Sequence, residues 1–221
     1  MNALIVIAKR PAAGHTKTRL TPPLTPVQAA ELYEGFLLDT LDIARAVPDA
    51  TRLITYAPAE AAGYFADRAP DFLLTPQVGH TLGERLDHVL TRCLRDGYRR
   101  AVVMDSDSPT LPAACVAQAF EVLSDHDVVL GPCADGGYYL IGLTHPQPRL
   151  LREVEMSQPN VLRDTLELAE QMRLRVTLLP TWYDVDTVQE LAQLQAELAG
   201  LPPATAAHTR ARLAVLAGER P

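Results

Sequence analysis

The chain has almost no lysine. Of its 20 basic residues 18 are arginine, and the two lysines, Lys9 and Lys17, both fall in one loop near the N-terminus. Cysteine is also scarce: Cys93, Cys115 and Cys133 are odd in number, and their spacing fits neither a disulfide framework nor a zinc ribbon. A reducing compartment is therefore the simpler expectation. The six histidines are scattered without zinc-ligand spacing. No apolar run approaches the roughly 18 residues that a membrane span needs. The N-terminus lacks the basic and apolar regions of a signal peptide, so the cytoplasm is the expected location. Positive charge is not in excess either, because the formal net charge is −7. That balance argues against non-specific nucleic-acid binding, which needs a broad cationic face. There is no internal repeat and no low-complexity linker. A chain of 221 residues at 48% hydrophobic composition is expected to build one core.

What the chain does have is concentrated around that loop. The apolar run Ala3-Leu4-Ile5-Val6-Ile7-Ala8 reads as a buried strand. It leads into Lys9-Arg10-Pro11-Ala12-Ala13-Gly14-His15-Thr16-Lys17-Thr18-Arg19-Leu20, where Pro11 and Gly14 break regular structure. Four cations in one glycine-containing loop after a strand suit an anion, since ligands of open α/β sheets sit at the carboxyl ends of strands. A solvated basic turn explains the same composition. Thr16 stands where a Walker A loop needs glycine.

Further along, apolar runs alternate with helical periodicities. Thr25-Pro26-Val27-Gln28 and Thr81-Leu82-Gly83-Glu84 each have capping-box spacing at a helix start. The alternation predicts an α/β domain with a mostly parallel sheet. The runs 127–131 and 138–143 are too close for a helical crossover, so an antiparallel pair and a mixed sheet are expected there. Residues 1–200 form the expected domain, with 201–221 as a C-terminal tail or helix.

Three acidic or glycine-rich stretches could carry chemistry. Asp105-Ser106-Asp107 follows an apolar strand. In an extended chain its two carboxylates would share a face about 6.5 Å apart at the backbone, a donor pair that hard divalent cations prefer. The same residues would also start a turn before Pro109. Asp184-Val185-Asp186-Thr187 is a second acidic pair. Asp186 could cap the next helix with Gln189 completing the box, or join a metal site with the first pair. Asp135-Gly136-Gly137-Tyr138-Tyr139 is either a turn between strands or a ligand-facing loop in which Asp135 acts as a base. The segment Gln77 to Arg85 adds glycines and free amides at a helix start.

Taken together, Ala8-Lys9-Arg10-Pro11…Gly14…Lys17-Thr18-Arg19-Leu20, Leu82-Gly83-Glu84-Arg85, Asp105-Ser106-Asp107-Ser108-Pro109, Gly131-Pro132…Asp135-Gly136-Gly137-Tyr138-Tyr139-Leu140 and Asp184-Val185-Asp186-Thr187 resemble the DUF2064 family of glycosyltransferase-like proteins. The resemblance spans about residues 3–199 and departs from the family pattern at Arg10 and Ser106. It implies a single-domain GT-A fold, the Rossmann-like fold of nucleotide-diphospho-sugar transferases, with helices on both faces of a mixed, mostly parallel sheet. The first loop is also similar to that of phospholactate guanylyltransferase-type nucleotidyltransferases. By that resemblance Lys9, Gly14, Lys17, Thr18, Arg19, Gly83 and Asp105 would bind the nucleotide and its phosphates. Asp105, Asp107 and Asp186 would hold Mg2+ or Mn2+, and Asp135, Gly136, Gly137 and Tyr138 would face the second substrate. Lys17 and Asp135 are the expected catalytic groups. The leading expectation is sugar transfer from a nucleoside-diphosphate sugar to a small-molecule acceptor. The alternatives are guanylyltransferase-like nucleotidyl transfer, moving a nucleoside monophosphate from a nucleoside triphosphate to a phosphorylated small molecule with release of pyrophosphate, and a non-catalytic nucleotide-binding module.

Overall fold

The computed structural model describes residues 1–218. Seven strands form one sheet in the order β3-β2-β1-β4-β6-β5-β7. They are β1 (Asn2–Lys9), β2 (Ala50–Ala57), β3 (Leu73–Pro76), β4 (Arg100–Met104), β5 (Val128–Pro132), β6 (Tyr138–Leu143) and β7 (Val176–Leu178). The β1–β2, β1–β4, β2–β3 and β5–β7 pairs are parallel. β6 runs against both β4 and β5, and the short 132–138 connection accounts for the second of these pairings. The sheet is thus mixed and mostly parallel, and the chain forms a single α/β domain.

Strand β1 reads as one continuous apolar run because both its faces are covered. Leu4, Val6 and Ala8 pack under α1 (Pro26–Ala46), α2 (Ala62–Arg68) and α4 (Ala113–Val122). Ala3 and Ile5 face the opposite layer, built from α3 (Leu82–Arg95), α5 (Pro148–Arg152) and α6 (Val161–Gln171). A third cluster joins the other side of α1 to α7 (Val188–Gly200) and α8 (Ala207–Gly218) through Phe36, Leu194, Leu198 and Leu213.

Helix starts follow the local chemistry. Thr25 caps α1 and Thr81 caps α3, each in a full capping box with Gln28 or Glu84. The expected cap at Asp186 is not used: Thr187 caps α7, and the Glu190 carboxylate accepts from the backbone N–H of Asp186 and Thr187 at 2.7 and 2.6 Å. The C-terminal stretch is a helix held on α1. Buried Asp39 accepts from the backbone N–H groups of His208 and Thr209 at 3.0 and 2.8 Å, supplying α8 with acceptors for its free first-turn donors. Gly35 lets the two helices close up, since a Cβ there would lie 3.1 Å from Thr209 Cα. No helix among the described residues is long and apolar enough to cross a membrane.

The central strands β1 and β4 connect in opposite directions across the sheet. Their carboxyl ends form the topological switch point, where the loops diverge and leave a crevice. The basic loop leaves β1 there, and Asp105 follows β4.

Candidate active site

The crevice is a cavity of about 350 Å3. Its wall includes Lys9, His15, Lys17, Gln77, Arg85, Asp105, Asp107 and Asp186, so segments up to 177 residues apart in the chain meet in one place. Gly14 has φ 76, a left-handed turn that a side chain would strain. Lys17 follows at φ 49 and opens the short 3-10 turn Thr18–Leu20. This reverses the chain and turns the Lys17 side chain inward, where it is only 5% exposed.

The Lys17 ammonium donates to Asp107 Oδ2 and to Asp186 Oδ1, both at 2.5 Å. Arg19 stays outside, 75% exposed, with its guanidinium 3.6 Å from Asp186 Oδ2. Burial would drive Lys17 to lose its proton, but the two carboxylates outweigh it and hold the ammonium charged. Burial raises Asp186 too, yet Lys17 and then Arg19 hold it below the ordinary carboxylate value.

The carboxylates outnumber this one ammonium. Asp107, Asp184 and Asp186 offer oxygens within 4.8 Å of one another. Asp184 is pushed up to about 7, first by burial and then by Asp107 and Asp186. Asp105 is pushed well above the carboxylate range by burial and then by Asp107. One Asp105 oxygen accepts from the Ser108 hydroxyl at 2.7 Å, while Oδ1 is buried with no partner among the described residues. The extended Asp105-x-Asp107 geometry is not realised: β4 ends at Met104, the chain bends, and the two carboxylates take different partners. The acidic trio therefore contains Asp184 in the place expected for Asp105.

These shifts set a pH dependence. Between the ordinary carboxylate value of 3.8 and about 7, folded Asp184 keeps a proton that the unfolded chain releases. The folded state binds more protons in that window, so stability falls as pH rises through it. Asp105 acts in the same direction. The uncomplexed protein should melt at a lower temperature at pH 8 than near pH 5.5, and Asp184→Asn should flatten the slope. Melting curves across that range check it.

The 135–138 segment, which the resemblance placed toward a second substrate, adjoins the trio. Asp135 Oδ1 accepts from the Gly137 N–H at 2.9 Å, and Asp135 forms a second oxygen-and-sulfur group with Cys133 and Asp184. Gly136, at φ 93, touches the 157–160 segment so closely that a Cβ would come within 1.9 Å of the Pro159 carbonyl oxygen. Its own carbonyl accepts from Leu162 N–H. Tyr138 donates its hydroxyl hydrogen to Met156 Sδ at 3.4 Å. At Gly83 an added Cβ would lie 2.0 Å from the Leu151 carbonyl oxygen, so the absence of a side chain lets α3 pack on α5. Leu82 and Arg85 face the cavity instead.

Three participants carry a side-chain role that the sequence did not signal. Tyr33 reads as one more core position of α1, yet its hydroxyl accepts from Lys9 N–H at 3.2 Å and pairs with Ser106 at 2.9 Å. It thereby ties the basic loop to the acidic one. Gln77 donates to the Ala8 and Thr55 carbonyls at 2.9 and 3.1 Å, and its Oε1 accepts from Arg85. Ser157, at φ 63, lines the cavity from the α5–α6 loop. Arg10, by contrast, leaves the cavity and lies over the Tyr64 ring at 5.7 Å.

An all-oxygen trio around too little positive charge, with a buried orphan oxygen beside it, fits a hard divalent cation such as Mg2+ or Mn2+. Comparison with known proteins gives the site a context. The sequence model of a family described as an uncharacterized protein conserved in bacteria (DUF2064) matches residues 40–158. The 2-phospho-L-lactate guanylyltransferase of Methanothermobacter thermautotrophicus is 25% identical over 184 residues, covering 81% of this chain and 78% of the relative. A crystal structure from Desulfovibrio desulfuricans G20, provisionally named a nucleotide-diphospho-sugar transferase, is 33% identical with a TM-score of 0.88, covering 98% of this chain and 97% of the other. A Mycobacterium tuberculosis H37Rv protein crystallised in complex with manganese shares the fold alone, with a TM-score of 0.56 at 21% identity over 87% of this chain and 96% of its own.

Proposed function

We propose, for a chain that belongs to the DUF2064 family, that it is a metal-dependent nucleotidyltransferase, moving a nucleoside monophosphate from a nucleoside triphosphate to a small-molecule acceptor. The observation that carries this reading is the Lys17–Asp107–Asp186 junction, which joins a loop rich in cations to an oxygen cluster in one crevice. The loop supplies Lys9, Lys17 and Arg19 toward the phosphates, and a triphosphate uses that charge more fully than a diphosphate sugar does. The guanylyltransferase relative supports the same choice.

In this reading the left-handed turn at Gly14 brings the loop amides, including that of Thr18, toward the phosphates. Lys9, Lys17 and Arg19 neutralise the pyrophosphate as it leaves, an electrostatic contribution that is large where water is excluded. Asp107, Asp184 and Asp186 would hold the divalent cation, which supplies further charge neutralisation when bound. Asp105 faces the ribose side. Asp135 stands at the open edge beside Asp184, placed to accept a proton from an acceptor hydroxyl, with Gly136, Gly137 and Tyr138 shaping that edge. A second reading, sugar transfer from a nucleoside-diphosphate sugar, is favoured by the name of the Desulfovibrio relative and by the acidity of the Asp135–Asp184 edge, which suits a hydroxyl better than a phosphate.

One experiment separates them. The protein is incubated with Mn2+ or Mg2+ and a panel of nucleoside triphosphates and nucleotide sugars, and its melting temperature is recorded, because a ligand of the folded state must raise it. A triphosphate that stabilises the protein only with metal, and then yields pyrophosphate with an acceptor, supports nucleotidyl transfer. Stabilisation by a nucleotide sugar with release of nucleoside diphosphate supports the second reading. No stabilisation by any nucleotide would overturn both.

A further inference from the structure

The acidic trio is already served by a cation, and that cation is part of the chain. Lys17 Nζ lies 2.5 Å from one oxygen of Asp107 and 2.5 Å from one of Asp186, two of the three residues grouped within 4.8 Å. Mg2+ needs about 2.0–2.1 Å to carboxylate oxygens. An ion on those same oxygens would sit against an ammonium at hydrogen-bond distance, and the repulsion between two cations in a half-buried place favours the departure of one of them. Lysine is able to move, because its charge is a compact ammonium on a flexible four-carbon stem and is not tied to the planar fork of a guanidinium. The backbone is a loop between a glycine turn and a one-turn 3-10 helix, and the side chain borders the cavity with Lys9 and His15.

We propose that Lys17 is the built-in counter-ion of the metal site and competes with the divalent cation for Asp107 and Asp186. It leaves that place only when polyphosphate oxygens are present to receive it, so metal enters together with the nucleotide and not ahead of it. This rests on the reading above that metal and phosphates share the crevice. It adds an order of binding and a second task for Lys17, and it accounts for a lysine here in a chain whose basic residues are arginine at 18 of 20 positions.

The chain's composition provides the test. With Lys9 and Lys17 as its two lysines, a protein labelled with carbon-13 lysine shows two side-chain signals, assigned through a Lys9→Arg variant. The wild-type protein is titrated with millimolar Mg2+ alone and then with Mg2+ plus each of the four ribonucleoside triphosphates. The proposal predicts that the Lys17 signal holds its position with Mg2+ alone and shifts with Mg2+ and a triphosphate. In parallel, Lys17→Met should bind Mn2+ without nucleotide more tightly than wild type, by roughly 10–100-fold, the scale that neighbours of metal ligands carry. A Lys17 signal that moves with Mg2+ alone, or a Met variant that binds Mn2+ no better, would overturn the competition while leaving a metal–nucleotide enzyme intact. Signals that no triphosphate moves would instead remove the nucleotide reading on which the proposal stands.

Discussion

Asp107→Asn lowers turnover at saturating nucleotide by about a thousandfold, the upper end of what one preorganised charge contributes at a reacting centre. Asparagine has the same shape and leaves the Val185 N–H to Asp107 carbonyl bond untouched, so the chain still folds. What changes is charge. Burial aside, the Asp107 carboxylate holds Lys17 charged and pushes Asp105 and Asp184 up. Removing it strips the trio of a ligand and leaves Lys17 with Asp186. The unliganded protein should not lose stability in step with activity, since the cluster carries more negative charge than it can neutralise. Its melting temperature should stay level or rise, while the stabilisation by metal and nucleotide disappears. Steady-state kinetics and melting curves on one preparation check both halves. A variant that loses activity by unfolding would show the opposite pattern.

Lys17→Ala weakens binding of the metal–triphosphate complex by about 10–100-fold, because a hydrogen bond to a charged group contributes roughly 1.5–3 kcal/mol. Turnover should fall by a further factor of similar size if the contact strengthens as charge develops on the leaving pyrophosphate. Alanine also leaves Asp107 and Asp186 without the ammonium that both contact at 2.5 Å. The free protein should therefore melt lower, and more so at pH 8 than at pH 5.5, where Asp184 is protonated. Lys17→Arg should not restore the wild-type values. The larger planar fork has different donor geometry from the compact ammonium that contacts both carboxylates in a space only 5% exposed. Calorimetric titration with magnesium and the triphosphate measures the first effect directly.

How much of this could be read from the sequence depended on range. The capping boxes at Thr25 and Thr81 are local arrangements of four residues, and both formed as expected. The antiparallel turn before β6 followed from a loop too short to cross the sheet. Asp186 shows where local signals ran out. Asp186 and Thr187 are both good caps with an acidic or amide residue three positions on, and sequence could not choose between them. Lys17, 169 residues away, made the choice by taking the Asp186 carboxylate. Tyr33 was hidden for a related reason: helical periodicity assigns it to the core, where its ring does sit, and only the tertiary structure shows its hydroxyl tying Lys9 to Ser106. Gly83 reads as an anion site because it stands at a helix start, and its packing against the Leu151 carbonyl had no local signal. Asp184 was visible as half of an acidic pair, but its half-buried place beside Asp107 was not.

The central claim is that one divalent ion links the Asp107, Asp184 and Asp186 carboxylates to a polyphosphate held by the β1 loop. Anomalous diffraction at the manganese edge, on crystals grown with Mn2+ and the triphosphate that stabilises the protein most, locates that ion without assumption. A single peak within bonding distance of those carboxylates and of phosphate oxygens, with Lys17 turned to the phosphates, is the predicted result. Manganese bound elsewhere, or a nucleotide whose phosphates lie away from Lys9 and Lys17, would contradict it.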